Sequence, residues 1–91
     1  AGIRRAAAGQ GDRRRGAEER IALLTGRERE VLQCLLAGMS NKVVAQHLGI
    51  SLRTVEMHRG NMMDRLGVDS LAEAITCAFQ AGVEPALARA S

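Results

Sequence analysis

Four times along the chain a serine or threonine opens a run of helix-forming residues and a glycine closes it. The brackets are Thr25 to Gly38, Ser40 to Gly49, Ser51 to Gly67 and Ser70 to Gly82. A hydroxyl at the first position accepts one of the orphan N–H groups of the helix that follows. A glycine just past the last turn takes the left-handed conformation that ends a helix without a Cβ clash. Thr25 with Glu28, and Ser70 with Glu73, also have the spacing of reciprocal capping boxes, and Leu24 stands where a staple residue would sit. For the second run, Ser40 and Asn41 are alternative caps.

Apolar residues recur at helical spacing inside these brackets. The first run has Val31, Leu32, Leu35 and Leu36, and the third has Val55, Met62 and Leu66. The fourth has Leu71, Ile75, Ala78 and Phe79. No segment alternates as a strand would. Phe79 is the only aromatic residue, so the core must be aliphatic and thin, which suits helices better than a sandwich or barrel. The expected fold is all-α, a compact four-helix bundle containing a helix-turn-helix.

Domain organisation follows from where this pattern starts and stops. Residues 1–20 are rich in Ala, Arg and Gly with no apolar period, and are expected to be a flexible linker, partly helical after Gly16 and outside the core. Residues 21–82 form the domain, and 83–91 a flexible tail. The chain begins at an alanine, which suggests a piece of a longer protein. Its formal net charge of +3 is unevenly placed. Arg4, Arg5, Arg13, Arg14 and Arg15 face only Asp12 in the leader, whereas residues 17–82 are slightly acidic. Global basicity therefore says little about the domain, and any contact with nucleic acid must rest on local placement. Arg13, Arg14 and Arg15 read first as a solvated charge run and second as non-specific contacts to DNA phosphates. No apolar run is long enough to span a membrane, and no signal peptide is visible, so a cytoplasmic location is expected.

The short second and third runs carry the functional signal. Ala45 is small enough to let a following helix cross closely, Gly49 supports a sharp turn, and Val55 anchors the next helix inward. That pattern resembles a helix-turn-helix, which leaves the outer face of the third run free for a DNA groove. The wider strings "LTGREREVL", "AGMSNKVVAQHLGIS", "RTVEMHRGNMMDRLGV" and "SLAEAI" together resemble the LuxR-type DNA-binding domain over residues 21–82, and within it the FixJ branch of response regulators. The resemblance implies sequence-specific binding of double-stranded DNA through the major groove. It further implies transcription regulation as the effector domain of a two-component response regulator, joined to a receiver that a sensor histidine kinase phosphorylates. A homodimer on DNA is implied, made by the last helix, and RNA polymerase is a candidate partner.

Carried over residue by residue, the groove-facing positions are Arg53, Thr54, Glu56, Met57, Arg59, Gly60 and Asn61. Asn41 and Lys42 match the polar helix start that touches the DNA backbone. Ala74, Cys77 and Ala81 offer a small-residue face for the homodimer. Arg53 and Arg59 read mainly as phosphate clamps, with guanine readout as a second role. Met57 offers apolar contact to a thymine methyl. Many family members have a lysine where Glu56 stands and a basic or polar residue where Gly60 stands. A glutamate facing DNA repels phosphate, so it must either accept from the N4 amino group of cytosine or brace Arg53 or Arg59, each three residues away. Both roles stand open, beside a plain surface charge.

Cys34 and Cys77 lack the paired spacing of a metal or redox site and read as reduced core residues. His58 matches a family histidine packed near the helix junction, and no cofactor or metal is expected for it or for His47. No nucleophile elbow, phosphate loop or carboxylate pair points to an enzyme. Two other readings compete: the DNA-binding domain of a quorum-sensing regulator, whose other half would bind an acyl-homoserine lactone, and a helical protein-interaction module without DNA contact.

Overall fold

The computed structural model describes residues 2–86, with side chains from residue 12 onward. Five helices follow one another with short connections: α1 (Gly2–Ala22), α2 (Gly26–Leu36), α3 (Asn41–Leu48), α4 (Leu52–Leu66) and α5 (Leu71–Gln80). There is no strand among the described residues. The four bracketed runs are thus α2 to α5, and the architecture is all-α as expected.

The brackets act as their chemistry requires. Thr25 Oγ1 accepts from the Glu28 N–H at 3.1 Å while Glu28 Oε1 accepts from the Thr25 N–H at 3.1 Å, which closes the box at the start of α2. Ser40, Ser51 and Ser70 each accept the N–H three residues on, so Ser40 and not Asn41 caps α3. The second box closes differently. Glu73 Oε1 takes the Asp69 N–H at 2.8 Å, one residue before the cap. Gly38, Gly49, Gly67 and Gly82 all have positive φ.

The core is a single aliphatic cluster. Val31, Leu32, Val44, Val55, Met62 and Leu66 are essentially sealed from solvent, so the inner faces expected for α2 and α4 are the observed ones. Ala45 is buried where α4 crosses α3, and Gly49 (φ 70°) turns the chain there, its neighbour Ile50 donating back to the Ala45 carbonyl at 3.0 Å. Only Gly49, Ile50 and Ser51 separate the two helices.

One carboxylate ties this arrangement together. Glu28 is 2% exposed, and its Oε1 also accepts from Arg65 Nε at 2.9 Å. The start of α2 is thereby pinned to the last turn of α4 across the core. Arg65 itself is half-exposed and can spread its remaining donors into water.

Two expectations are corrected. The leader is helical before Gly16 as well as after it, and its end belongs to the core: α1 runs from Gly2 to Ala22, and Ala17 and Ile21, one helical turn apart, are buried. Among the described side chains, the apolar contacts of α1 with the core lie in its last two turns, too few to produce a period. Burial of one isoleucine is nevertheless worth about 1.5–3 kcal/mol, and the exposed pairs Arg14–Glu18 (3.5 Å) and Asp12–Arg15 (3.8 Å) add local support. The tail is corrected in its first residues. Val83 is buried, and the Ala86 N–H donates to the Gln33 carbonyl at 2.9 Å, so the chain folds back on α2. Residues 87–91 lie outside the described residues.

The second correction concerns α5. Ala74, Cys77 and Ala78 point inward, whereas Phe79 is 64% exposed and Ile75 half-buried. The partner of that small-residue face is α1, which packs chiefly on α5. Side chains this small let two helix backbones approach closely. Ala74 and Cys77 are therefore interior residues, and Ala81 is half-buried beside them.

Both cysteines are free and buried. Burial pushes each thiol above its usual range; the Glu30 carboxylate adds to this at Cys34, and the Arg20 guanidinium partly opposes it at Cys77. Neither is a ready nucleophile.

Two stability predictions follow from these contacts. A Cβ on Gly49 would meet no atom within 4 Å, so the cost of substitution is purely conformational. Gly49→Val should lower the unfolding free energy by roughly 1–3 kcal/mol in chemical denaturation, and Gly49→Ala by less. Glu28→Ala should cost about 2–4 kcal/mol, since it removes a cap and a charge-assisted bond together. Glu28→Gln should recover the cap, whereas Arg65→Ala strands a buried carboxylate and should be the more damaging of these two. Equal stability of Arg65→Ala and the unmodified protein would show that the bridge contributes nothing in solution.

Candidate nucleic-acid interface

Val55, Met62 and Leu66 face the core, and successive residues of a helix turn by 100°. The opposite side of α4 is therefore occupied by Arg53, Met57, Gly60 and Asp64, with Glu56 flanking one edge and Asn61 the other. Arg53, Glu56, Met57, Gly60 and Asn61 are all exposed, Met57 at 53%. A single exposed apolar side chain is ordinary on a protein surface, and here it gives the polar face one apolar contact point.

Three of the remaining expected residues have other engagements. Thr54 is half-buried, and its Oγ1 lies 2.8 Å from the Ser51 hydroxyl within the cap of α4. Arg59 is also half-buried, and its Nη1 donates to Asn41 Oδ1 at 3.1 Å. Asn41 is the first residue of α3, so this bond joins the two helices of the motif. Lys42, next to it, is exposed at the same helix start. Among the described residues Glu56 makes no ion pair, so the bracing of Arg53 or Arg59 is not the arrangement found.

The geometry thus leaves Lys42, Arg53, Glu56, Met57, Gly60 and Asn61 exposed on α3 and α4, and joins Asn41 to Arg59 between the two helices. It excludes Ala74 and Cys77 from any surface. His58 is half-buried at the edge of α4 and His47 is exposed. The bonds of Glu28 to Arg65 and Asn41 to Arg59 were not foreseen, because nothing in the spacing of residues so far apart marks them as partners. No His, Cys, Asp or Glu cluster among the described residues could hold a metal ion, and no helix among them is long and apolar enough to cross a membrane.

Two short helices joined by a three-residue turn, with the second buried along one stripe and polar along the other, define a helix-turn-helix module of the tetrahelical kind, extended here by α1. The chain belongs to the luxR family of bacterial regulatory proteins, whose profile matches residues 22–78. It is 49% identical over 77 residues to the transcriptional regulatory protein FixJ of Azorhizobium caulinodans, covering 85% of this chain and 36% of that protein. It is 48% identical over 50 residues to the transcriptional regulatory protein UhpA of Escherichia coli, covering 55% and 26%. The crystal structure of full-length FixJ from B. japonicum superposes with a TM-score of 0.77 at 40% identity, covering 88% of this chain and 40% of that one. The chain spans about a third of the length of the FixJ proteins it matches. A 77-residue match cannot fit between residue 22 and the end of the chain, so the likeness to FixJ reaches into α1.

Proposed function

We propose that this chain is the DNA-binding, transcription-regulating effector domain of a two-component response regulator and has no catalytic role. The observation that carries the reading is the exposed polar row of α4, held by a sharp Gly49 turn against α3 in a luxR-family fold. In this reading α4 enters the major groove of double-stranded DNA. Lys42 and Arg59 clamp phosphates, Arg53 clamps a phosphate or reads a guanine, and Met57 covers a thymine methyl. The free carboxylate of Glu56 accepts from a cytosine amino group. The names of the FixJ and UhpA relatives, all transcriptional regulatory proteins, support the regulatory role. A receiver domain, a sensor kinase acting on it, RNA polymerase as a downstream partner and a cytoplasmic location belong to the same proposal.

A homodimer on DNA is the natural companion of such a domain, and its surface is re-assigned. With Ala74 and Cys77 buried, the apolar residues left on the outer part of α5 are the exposed Ala72 and Phe79 and the half-buried Ile75, spaced i, i+7 and i+3. A twofold pairing there would favour an operator with two related half-sites about one helical turn apart.

Gel-shift titrations on a selected operator and on scrambled DNA test these roles. Lys42→Ala should weaken binding to both DNAs and reduce the salt slope by about one unit. A change in the preferred base would instead make Lys42 a sequence reader. Glu56→Gln should tighten binding to scrambled DNA while discrimination at one base pair falls by roughly 1–3 kcal/mol. Equal tightening on both DNAs would leave Glu56 a bystander. Phe79→Ala should leave the melting temperature nearly unchanged and abolish cooperativity between half-sites. Retained cooperativity would move the dimer contact elsewhere.

A further inference from the structure

Sequence spacing offers Arg59 one acceptor on its own helix, and the structure shows it using another on α3. Glu56 lies three residues before it on the exposed side of α4, at a spacing that suits an ion pair. That spacing forms a pair elsewhere in this protein: Arg27 meets Glu30 at 3.1 Å, and Asp12 meets Arg15 at 3.8 Å. At Glu56 it does not. The Arg59 guanidinium instead donates to the side-chain oxygen of Asn41, 18 residues away on α3. The competition is settled by environment. The Asn41 bond is half-buried and its two ends are fixed by the packing of α3 on α4, whereas an exposed ion pair must hold two long side chains still against water and salt.

We propose that Asn41 is a specificity-determining positioning residue: by holding Arg59 across the helix-turn-helix it keeps the guanidinium off Glu56 and leaves that carboxylate free for a base edge. The inference rests on the DNA-binding reading above and goes beyond it, since Asn41 then acts on sequence choice without touching a base. A carboxylate neutralised by its own arginine offers a cytosine amino group a poorer acceptor, and it presents less repulsion to a mismatched site. Arg59 has five donors, so one given to Asn41 leaves the others for a phosphate. Asn41 thus orients the clamp and preserves the reader in a single contact. Arg53, three residues before Glu56, is the other cation in range; it is exposed, with no such tether to α3, and serves as the control.

The test uses the whole 91-residue chain. An operator is first selected from random DNA, and each of its base pairs is then substituted singly. Affinities for operator and substituted sites are measured at one salt concentration for the unmodified protein, Asn41→Ala, Asn41→Asp, Glu56→Gln and the double variant Asn41→Ala/Glu56→Gln. Asn41→Ala should lose about tenfold in discrimination at the same base pair that Glu56→Gln affects, and the double variant should lose no more. Asn41→Asp should restore discrimination, because a carboxylate there holds Arg59 at least as well, even though its charge weakens binding to every DNA. Arg53→Ala should not alter the effect of Asn41→Ala. Losses that multiply in the double variant, or an Asn41→Ala defect equal on operator and substituted sites, would overturn the proposal. Melting temperatures of the variants separate these outcomes from misfolding, which would depress all affinities and spare no rescue by aspartate. Failure to select any sequence would defeat the DNA-binding reading itself, and this inference with it.

Discussion

A single buried carboxylate decides how the pieces of this small domain face one another. Glu28 belongs to the first turn of α2, yet its oxygen satisfies both a backbone amide of that turn and the guanidinium at the far end of α4. An aliphatic core on its own specifies a unique arrangement weakly, because side chains of similar volume can replace one another at little cost. A directional bond between the two longest-separated ends of the central helices removes that freedom. The angle at which α4 projects its polar row is therefore a property of the α2–α4 contact as much as of the turn after α3.

Around this brace the helices divide their tasks. α2, α3 and α4 share the large aliphatic side chains, while α5 brings mostly small ones. Small side chains alone would leave the outer layer thinly held, and α1 supplies the missing volume through Ala17 and Ile21. The luxR-family match begins at residue 22, after both of them, whereas the likeness to FixJ extends into α1. Packing thus joins to the domain a helix that the family pattern leaves out.

The local features were legible in the sequence because their physics is local. Caps, capping boxes and left-handed glycines involve residues three to five apart, and each was found where the residue types required it. The inner stripe of α4 followed equally well, since Val55, Met62 and Leu66 keep to one side. α5 misled for a geometric reason. Leu71, Ile75 and Phe79 are spaced by four, and each such step advances about 40° around the helix. Phe79 has therefore rotated out of the core by about 80°, while Ala74, Cys77 and Ala78 hold the inner line. Among the site residues, the exposed members of α4 were readable from the period. The engagement of Arg59 by Asn41, and of Arg65 by Glu28, depends on tertiary proximity and leaves no trace in spacing. The helicity of the leader was partly hidden: its alanines and arginines favour a helix, but its glycines and the lack of an apolar period argue for a linker.

α1 is one uninterrupted helix from Gly2 to Ala22, packed on the domain at its last turns, and a helix transmits rotation along its length. Whatever is joined to its free end is indexed to the reading helix by rotation as well as by distance. Inserting one residue would swing such an attachment by about 100° and advance it by about 1.5 Å, whereas seven residues, close to two turns, would return it almost to its original bearing. Connector length in chains of this kind is then a quantity with a period, and lengths that differ by a whole number of turns are mechanically near-equivalent where intermediate lengths are not.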